Sequence, residues 1–326
     1  MTNIDCAPDA VIVQAILNEF VSRRDSPMVP LSPREVGADI VEVVGAGAGI
    51  VHFHPRDDSG TANGFRPQDD VSYYRETLQT ARDGLTPDVG ERLLWIPPQG
   101  EAASASARWR HVEPLTIDPG LELITVDPGA LDMFEHDPVA RTVTPLPPSF
   151  GSSSSEADIA DHMSAGEQWI WFCHEAQRLG IKVIFGVLEP GFLRRILALH
   201  DAGLIPDPLW LQFHVTDKYS FGLPAEPETY ATYRRMIPSD MKVEWFCSYI
   251  GVTAANQDRL TKYTLDEGGH VRAGVGSPPL EGLPQGKTNR DAVEEVVELA
   301  ISRGRRVADA EMSRNLLGLS ESTAPV

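Results

Sequence analysis

Two histidines one residue apart, His52-Phe53-His54, are the strongest chemical signal in the chain. Residues i and i+2 of a strand share a face, so both imidazoles project the same way. Paired neutral imidazoles on one face begin a divalent-metal site, and zinc is soft enough to favour nitrogen donors. The plainer alternative is two rings satisfied by hydrogen bonds alone. A metal would need a third ligand. His214 is the first candidate, sharing a strand face with Gln212, and Glu19 and Glu189 follow. Arg272 stands between Gly268-Gly269-His270 and Ala273-Gly274. Small neighbours would let a carboxylate reach its guanidinium in bidentate fashion, while a structural ion pair is the competing reading.

These residues need strands to aim them, and the chain supplies eight apolar runs read as buried strands. They are Ala10–Leu17, Gly49–His54, Arg92–Ile96, Leu121–Val126, Ile181–Leu188, Leu209–Val215, Lys242–Tyr249 and His270–Val275. Helical periodicity lies between them. Ser32-Pro33-Arg34-Glu35 is a capping box with proline at the first helical position. Further helices are expected near 69–82, 104–111, 156–179, 190–202, 226–236, 255–265 and 289–303. Eight strand-then-helix units predict an α/β fold, a single-domain (β/α)8 TIM barrel over 1–326. An open doubly wound sheet would carry a glycine-rich loop after its first strand, but Gly45-Ala46-Gly47-Ala48-Gly49 precedes a strand. Residues 127–155 read as a long βα loop, and 318–326 as a disordered tail.

In a barrel the active site forms at the C-terminal strand ends. That rule selects Asn18 and Glu19, then His52, His54, Arg56 and Asp57, then Thr125 and Asp127. Glu189, Gln212, His214, His270 and Arg272 complete the set. Other histidines and the tryptophans sit at packing positions.

Composition narrows the partners. Lys and Arg total 28 against 47 Asp and Glu, a formal net charge of −19, which disfavours nucleic acid and membrane surfaces. The three cysteines, Cys6, Cys173 and Cys247, are too few and too scattered for a disulfide framework or a cysteine zinc motif. The N-terminus lacks a secretory signal pattern, and no apolar run approaches the ~18–20 residues that span a bilayer. A cytoplasmic protein is expected.

Several segments together resemble the β-keto acid cleavage enzymes. They are Pro27-Met28-Val29-Pro30-Leu31-Ser32-Pro33, Ala46-Gly47-Ala48-Gly49-Ile50-Val51-His52-Phe53-His54-Pro55-Arg56-Asp57, Gln212-Phe213, Trp245 and Gly268-Gly269-His270-Val271-Arg272-Ala273-Gly274. The resemblance implies a (β/α)8 barrel, a mononuclear zinc site and a homo-oligomer, dimer or tetramer. It implies a Claisen-type exchange in which a β-keto acid and acetyl-CoA give acetoacetate and a new acyl-CoA. Carried over, His52 and His54 match the zinc-binding histidines, Arg272 the catalytic arginine, and Thr125 a pocket threonine. That threonine belongs to a Thr-x-Asn pattern whose last position is Asp127 here. The chain departs from the pattern where the family continues strand eight as G-x-E-D, with a zinc-binding Glu and a proton-transferring Asp. Those places are Gly276 and Ser277. A Ser-Thr-Gly-Gly segment is replaced by Pro97-Pro98-Gln99-Gly100, and a strand-five glutamate by Gly186.

The expectation is therefore a diverged metal-dependent enzyme that cleaves or forms a C–C bond in a small β-keto or related carboxylate. Arg272 would bind the carboxylate, and Thr125, Gln212 and Arg56 would line the substrate. His52, His54 and His214 would hold zinc, and Glu19, Asp127 or Glu189 would act as base. CoA phosphates could be met by Arg194 and Arg195 or by Arg305 and Arg306. A zinc-dependent hydrolase or decarboxylase is the alternative, and a non-catalytic ligand-binding barrel a further one.

Overall fold

The capping box foreseen at Ser32 is present in a computed structural model, which describes residues 10–19, 21–24, 26–57, 67–100, 105–129, 134–137, 142–145 and 165–319. Ser32 Oγ accepts from Glu35 N–H at 3.3 Å, and the Glu35 carboxylate accepts from Ser32 N–H at 2.8 Å. These bonds satisfy two orphan donors and start the helix Pro33–Gly45 on its first possible turn. Its buried residues Val36, Gly37, Ile40 and Val43 form one stripe against the core.

Eight short parallel strands follow the expected order: β1 (Val13–Ile16), β2 (Ile50–His52), β3 (Trp95–Ile96), β4 (Leu123–Val126), β5 (Lys182–Val187), β6 (Leu209–Val215), β7 (Val243–Tyr249) and β8 (Val271–Ala273). They pair in two sheets, β8-β1-β2-β3 and β7-β6-β5-β4. One seam between the sheets is bonded: Cys247 N–H donates to His270 O at 3.1 Å, and His270 N–H to Trp245 O at 2.8 Å.

Alternation along the strands separates two cores. Val13, Ala15, Val51, Phe213, Val215, Trp245 and Cys247 join a large cluster with the covering helices. Ile12, Ile50, Leu94, Ile96, Leu123, Ile184, Trp210 and Phe246 form a second cluster drawn from both sheets. Because the side-chain period is two, the next residues on that second face are polar: Gln14, His52, Thr125, Gln212, Ser248 and Arg272. The apolar layer is thus a floor, and the functional residues stand one or two steps above it.

Several boundaries differ from expectation. The first strand is interrupted: Ala10–Val11 pairs with Arg306–Val307, and the Ile12 N–H is taken by His270 Nδ1 at 3.0 Å. The third strand is only Trp95–Ile96, and the helix expected over 104–111 is two short helices, Ala105–Trp109 and Val112–Ile117. Within 127–155 lies an antiparallel pair, Phe134–Asp137 with Thr142–Pro145, while 130–133, 138–141 and 146–155 fall outside the described residues. The helix expected over 156–179 is described as Ala165–Leu179. A helix not foreseen, Ala310–Leu317, sets Leu317 against the floor cluster and ends at left-handed Gly318; of the expected tail, 318 and 319 are described and 320–326 lie outside the described residues. No helix among the described residues is long and apolar enough to cross a membrane.

Candidate metal and substrate site

The histidine pair stands at the end of β2, and its donors converge. His52 Nδ1 donates to the Ile96 carbonyl on β3 at 2.9 Å, which turns Nε2, the other ring nitrogen, toward the site. His54 Nε2 lies 3.2 Å from His52 Nε2, and Glu19 Oε1, just past β1, lies 3.4 Å from the same nitrogen. Among the described residues, Glu19, His52 and His54 form a group whose donor atoms all fall within 4.8 Å of one another. Zinc bonds of ~2.0–2.1 Å in a tetrahedron set ligands about 3.3 Å apart. Two imidazoles and a carboxylate at these separations fit that ion. His214, expected as the third ligand, stands outside the group, its Nε2 facing Gln212 Nε2 at 2.9 Å. Glu19, expected as a base or as a further candidate for the third ligand, stands in the group. Nothing in the sequence ranked Glu19 above His214, because the loop that carries it leaves the strand period.

That loop is held by two residues. Asn18 bonds His54 on both sides, accepting its N–H at 2.9 Å and donating to its carbonyl at 3.1 Å. Arg56, expected to line the substrate, is fully buried, and its Nη1 donates to the carbonyls of Asn18, Glu19 and Val21. Through Nη1 that guanidinium ties down the backbone on either side of Glu19. Gly276, where the family pattern has a glutamate, packs so tightly that a Cβ would meet the Glu19 amide nitrogen at 2.8 Å. The backbone therefore has no room for a side chain there.

Arg272 rises from β8 beside Glu19, its Nη2 3.5 Å from Glu19 Oε1, and its Nη1 donates to Ser248 Oγ on β7. Its Nε is buried with no hydrogen-bond partner. Ser248 was not foreseen; its signal was its register two residues past Phe246. Asp127, after β4, lies over Gly186 of β5: a Cβ there would fall 1.8 Å from Asp127 Oδ1 and 3.4 Å from His214 Nε2. Asp127, His214 and Arg272 are thus brought together. Thr125 is half-buried on the same face. Glu189 is not brought in: it caps the helix Pro190–Asp201, and its Oε1 accepts from Gly222 N–H at 2.8 Å. Of the arginines considered for CoA, Arg195 donates to Pro128 O, and Arg305 to Leu265 O and Ala10 O.

Electrostatics sort the titratable groups. Burial would raise the Glu19 carboxyl, but Arg272 and the His52 and His54 rings outweigh it and hold it well below the usual carboxylate range. Burial and the neighbouring Glu19 charge push Asp127 up to about 6 against the pull of Arg272. Burial lowers His54 to about 3 and His214 to about 3, so both rings are neutral, as metal ligation or hydrogen-bond acceptance requires. The arrangement can hold a divalent cation, receive a carboxylate at Arg272 and exchange a proton at Asp127.

The chain is 24% identical over 312 residues to the 3-keto-5-aminohexanoate cleavage enzyme of Fusobacterium nucleatum, covering 95% of this chain and 98% of that one. It is 25% identical to the 3-dehydrocarnitine:acetyl-CoA trimethylamine transferase of Rhizobium meliloti, covering 91% and 92%. With the 3-oxoadipate:acetyl-CoA acetyltransferase of Cupriavidus necator the identity is 24%, covering 95% and 94%. Among solved structures, apo ObcA has the same fold, with a TM-score of 0.63 at 13% identity over 90% of this chain and 66% of that one. The sequence pattern of the beta-keto acid cleavage enzymes matches residues 10–319, and the chain belongs to that family.

Proposed function

We propose that the chain exchanges acyl groups between a 3-oxo carboxylic acid and acetyl-CoA, giving acetoacetate and a new acyl-CoA. The observation that carries this reading is a set of open polar atoms beside the histidines. Arg272 Nε, Gln212 Oε1, His214 Nδ1 and Asp127 Oδ1 are buried without partners. Each such atom costs ~1–3 kcal/mol unless a ligand or water meets it. Four of them beside a cation-binding triad suit a substrate that carries a carboxylate and a ketone. The relatives' names support the choice, since two of them join a 3-oxo or dehydro acid to acetyl-CoA.

Glu19, His52 and His54 would hold the ion, which we take to be zinc. When bound, it supplies Lewis-acid polarisation of a keto oxygen. Arg272 receives the substrate carboxylate through its unpaired Nε, oriented by Ser248 and Glu19. Gln212 and Thr125 line the same face and orient the chain of the acid. Asn18 and Arg56 keep the Glu19 turn in register with His54. The reaction balances as R-CO-CH2-COO⁻ plus acetyl-CoA giving R-CO-CoA plus acetoacetate.

The same proposal takes the two sheets as halves of one closed (β/α)8 barrel. The shared floor cluster and the His270 bonds to β7 support it. A cytoplasmic homo-oligomer, dimer or tetramer, completes the reading, and light scattering measures its size.

The test incubates the protein with acetyl-CoA and a series of 3-oxo acids, including 3-oxoadipate, and follows acyl-CoA products by mass spectrometry. Equimolar acetoacetate and a new acyl-CoA are expected. Products formed without CoA would instead establish hydrolysis or decarboxylation. No turnover of any 3-oxo acid would overturn the proposal.

A further inference from the structure

We propose that Asp127 takes the α-proton of the 3-oxo acid, and that Gly186 is the residue that admits its carboxylate to that place; the inference rests on the exchange reaction above.

The geometry is a matter of shared volume. A side chain at 186 would put its Cβ 1.8 Å from Asp127 Oδ1, so the carboxylate must leave its place to admit one. The same Cβ would lie 3.4 Å from His214 Nε2. The Asp127 carboxylate therefore fills the space a β5 side chain would claim, beside His214 and facing the Arg272 end of the site. Gly186 sits opposite Gln212 in the parallel register, so this space belongs to the polar layer above the floor cluster.

The other candidate carboxylates are committed. Glu19 is among the cation donors and Glu189 holds the Gly222 amide. Ser277, at the place of the family pattern's aspartate, donates its hydroxyl to Tyr249 O at 2.6 Å. Asp127 Oδ1 keeps its lone pairs unpaired and buried. Among the described residues, the charged or titratable groups that face it are Glu19 from the end of β1, Arg272 from β8 and His214 from β6. Burial and Glu19 raise its proton affinity to about 6, near the ambient pH at which a general base is most effective.

The step is a proton transfer. The C2–H bond of the 3-oxo acid breaks, its proton goes to an Asp127 oxygen, and the electron pair forms the C2–C3 enolate with charge on the C3 oxygen. Reversal in D2O leaves deuterium at C2.

The experiment first finds a 3-oxo acid that the wild type turns over. It then follows early deuterium uptake at C2 of that acid by proton NMR, beside kcat, KM and metal content. Asp127→Asn, nearly isosteric, is expected to lower both exchange and kcat by ~10²–10⁴-fold with KM and metal content little changed. Gly186→Ala, which displaces the carboxylate without removing it, is expected to lower both as well. Asp127→Ala/Gly186→Glu clears that space and returns a carboxylate to it from the neighbouring strand, and is expected to recover about tenfold or more of the activity that Asp127→Ala loses. Exchange in Asp127→Asn within about threefold of wild type overturns the role of Asp127. Full exchange in Gly186→Ala, or no recovery in the double variant, overturns the part given to Gly186. A wild type that turns over no 3-oxo acid overturns the reaction itself, which is a separate outcome.

Discussion

Asn18 grips His54 by its backbone: the carboxamide oxygen accepts the His54 N–H at 2.9 Å, and the carboxamide nitrogen donates to the His54 carbonyl at 3.1 Å. A third bond runs from the same nitrogen to Pro30 O at 3.0 Å. One fully buried amide thereby ties the end of β1, the end of β2 and the segment leading into the first helix. Since Glu19 follows Asn18 directly, this amide ties together two of the three residues proposed to hold a cation.

Replacing Asn18 with Ala removes both of its hydrogen bonds to the His54 backbone, at ~1–3 kcal/mol of stability. Loss of such a supporting partner commonly costs about 10–100-fold in metal affinity. Competition against a chromophoric chelator should show a drop of that order with the fold intact by circular dichroism. Unchanged affinity would mean that the donors are positioned by other contacts.

Arg272→Lys keeps a positive charge but loses the planar fork. If Arg272 receives the substrate carboxylate, kcat/KM should fall ~10–100-fold, the equivalent of one charge-assisted hydrogen bond of ~1.5–3 kcal/mol. Steady-state kinetics on any accepted 3-oxo acid check this. A variant with wild-type kcat/KM would place the carboxylate elsewhere.

The parts of this site that could be read from the sequence are those that obey the strand period. His52, His54, Gln212, His214 and Arg272 each lie a whole number of two-residue steps from an apolar or aromatic floor position, so alternation alone put them on one face. The Ser32 capping box was equally legible because its chemistry is local. What the sequence hid depends on turns. Glu19 meets the histidines, and Arg56 clamps the carbonyls of Asn18 and Val21, only beyond the end of β1, where the strand period no longer applies. Gly186 reads as an empty position until Asp127 is seen lying over it. The break at Ile12 was invisible because its partner, His270, is 258 residues away.

Activity should carry an acid limb set by Asp127. A base must be ionised, and its carboxyl is raised from 3.8 to about 6 by burial and by Glu19. The logarithm of kcat/KM is therefore expected to fall with unit slope as pH drops below about 6. Glu19, held low beside Arg272 and His52, stays ionised through that window. A profile flat to pH 5 would contradict the assignment of Asp127 as base.

Stability should carry a separate pH dependence from Asp39. Burial raises its carboxyl from 3.8 to about 6, with Glu42 adding to the shift and the hydrogen bond from Asn289 opposing it. The folded state thus favours the protonated form. Its contribution is complete below about pH 3.8 and is lost as pH rises to about 6. Asp39→Asn cannot ionise, so its Tm relative to wild type should be higher at pH 8 than at pH 4.5. Equal differences at the two pH values in a thermal-shift assay would refute this.

Glu19, His52 and His54, not His214, are the residues proposed to hold a divalent ion. Elemental mass spectrometry of protein purified without chelator tests this assignment most directly. About one zinc per chain is expected in the wild type and in His214→Ala, with most of it lost from Glu19→Gln, His52→Ala and His54→Ala. Metal absent from the wild type, or lost in His214→Ala and kept in Glu19→Gln, would contradict it.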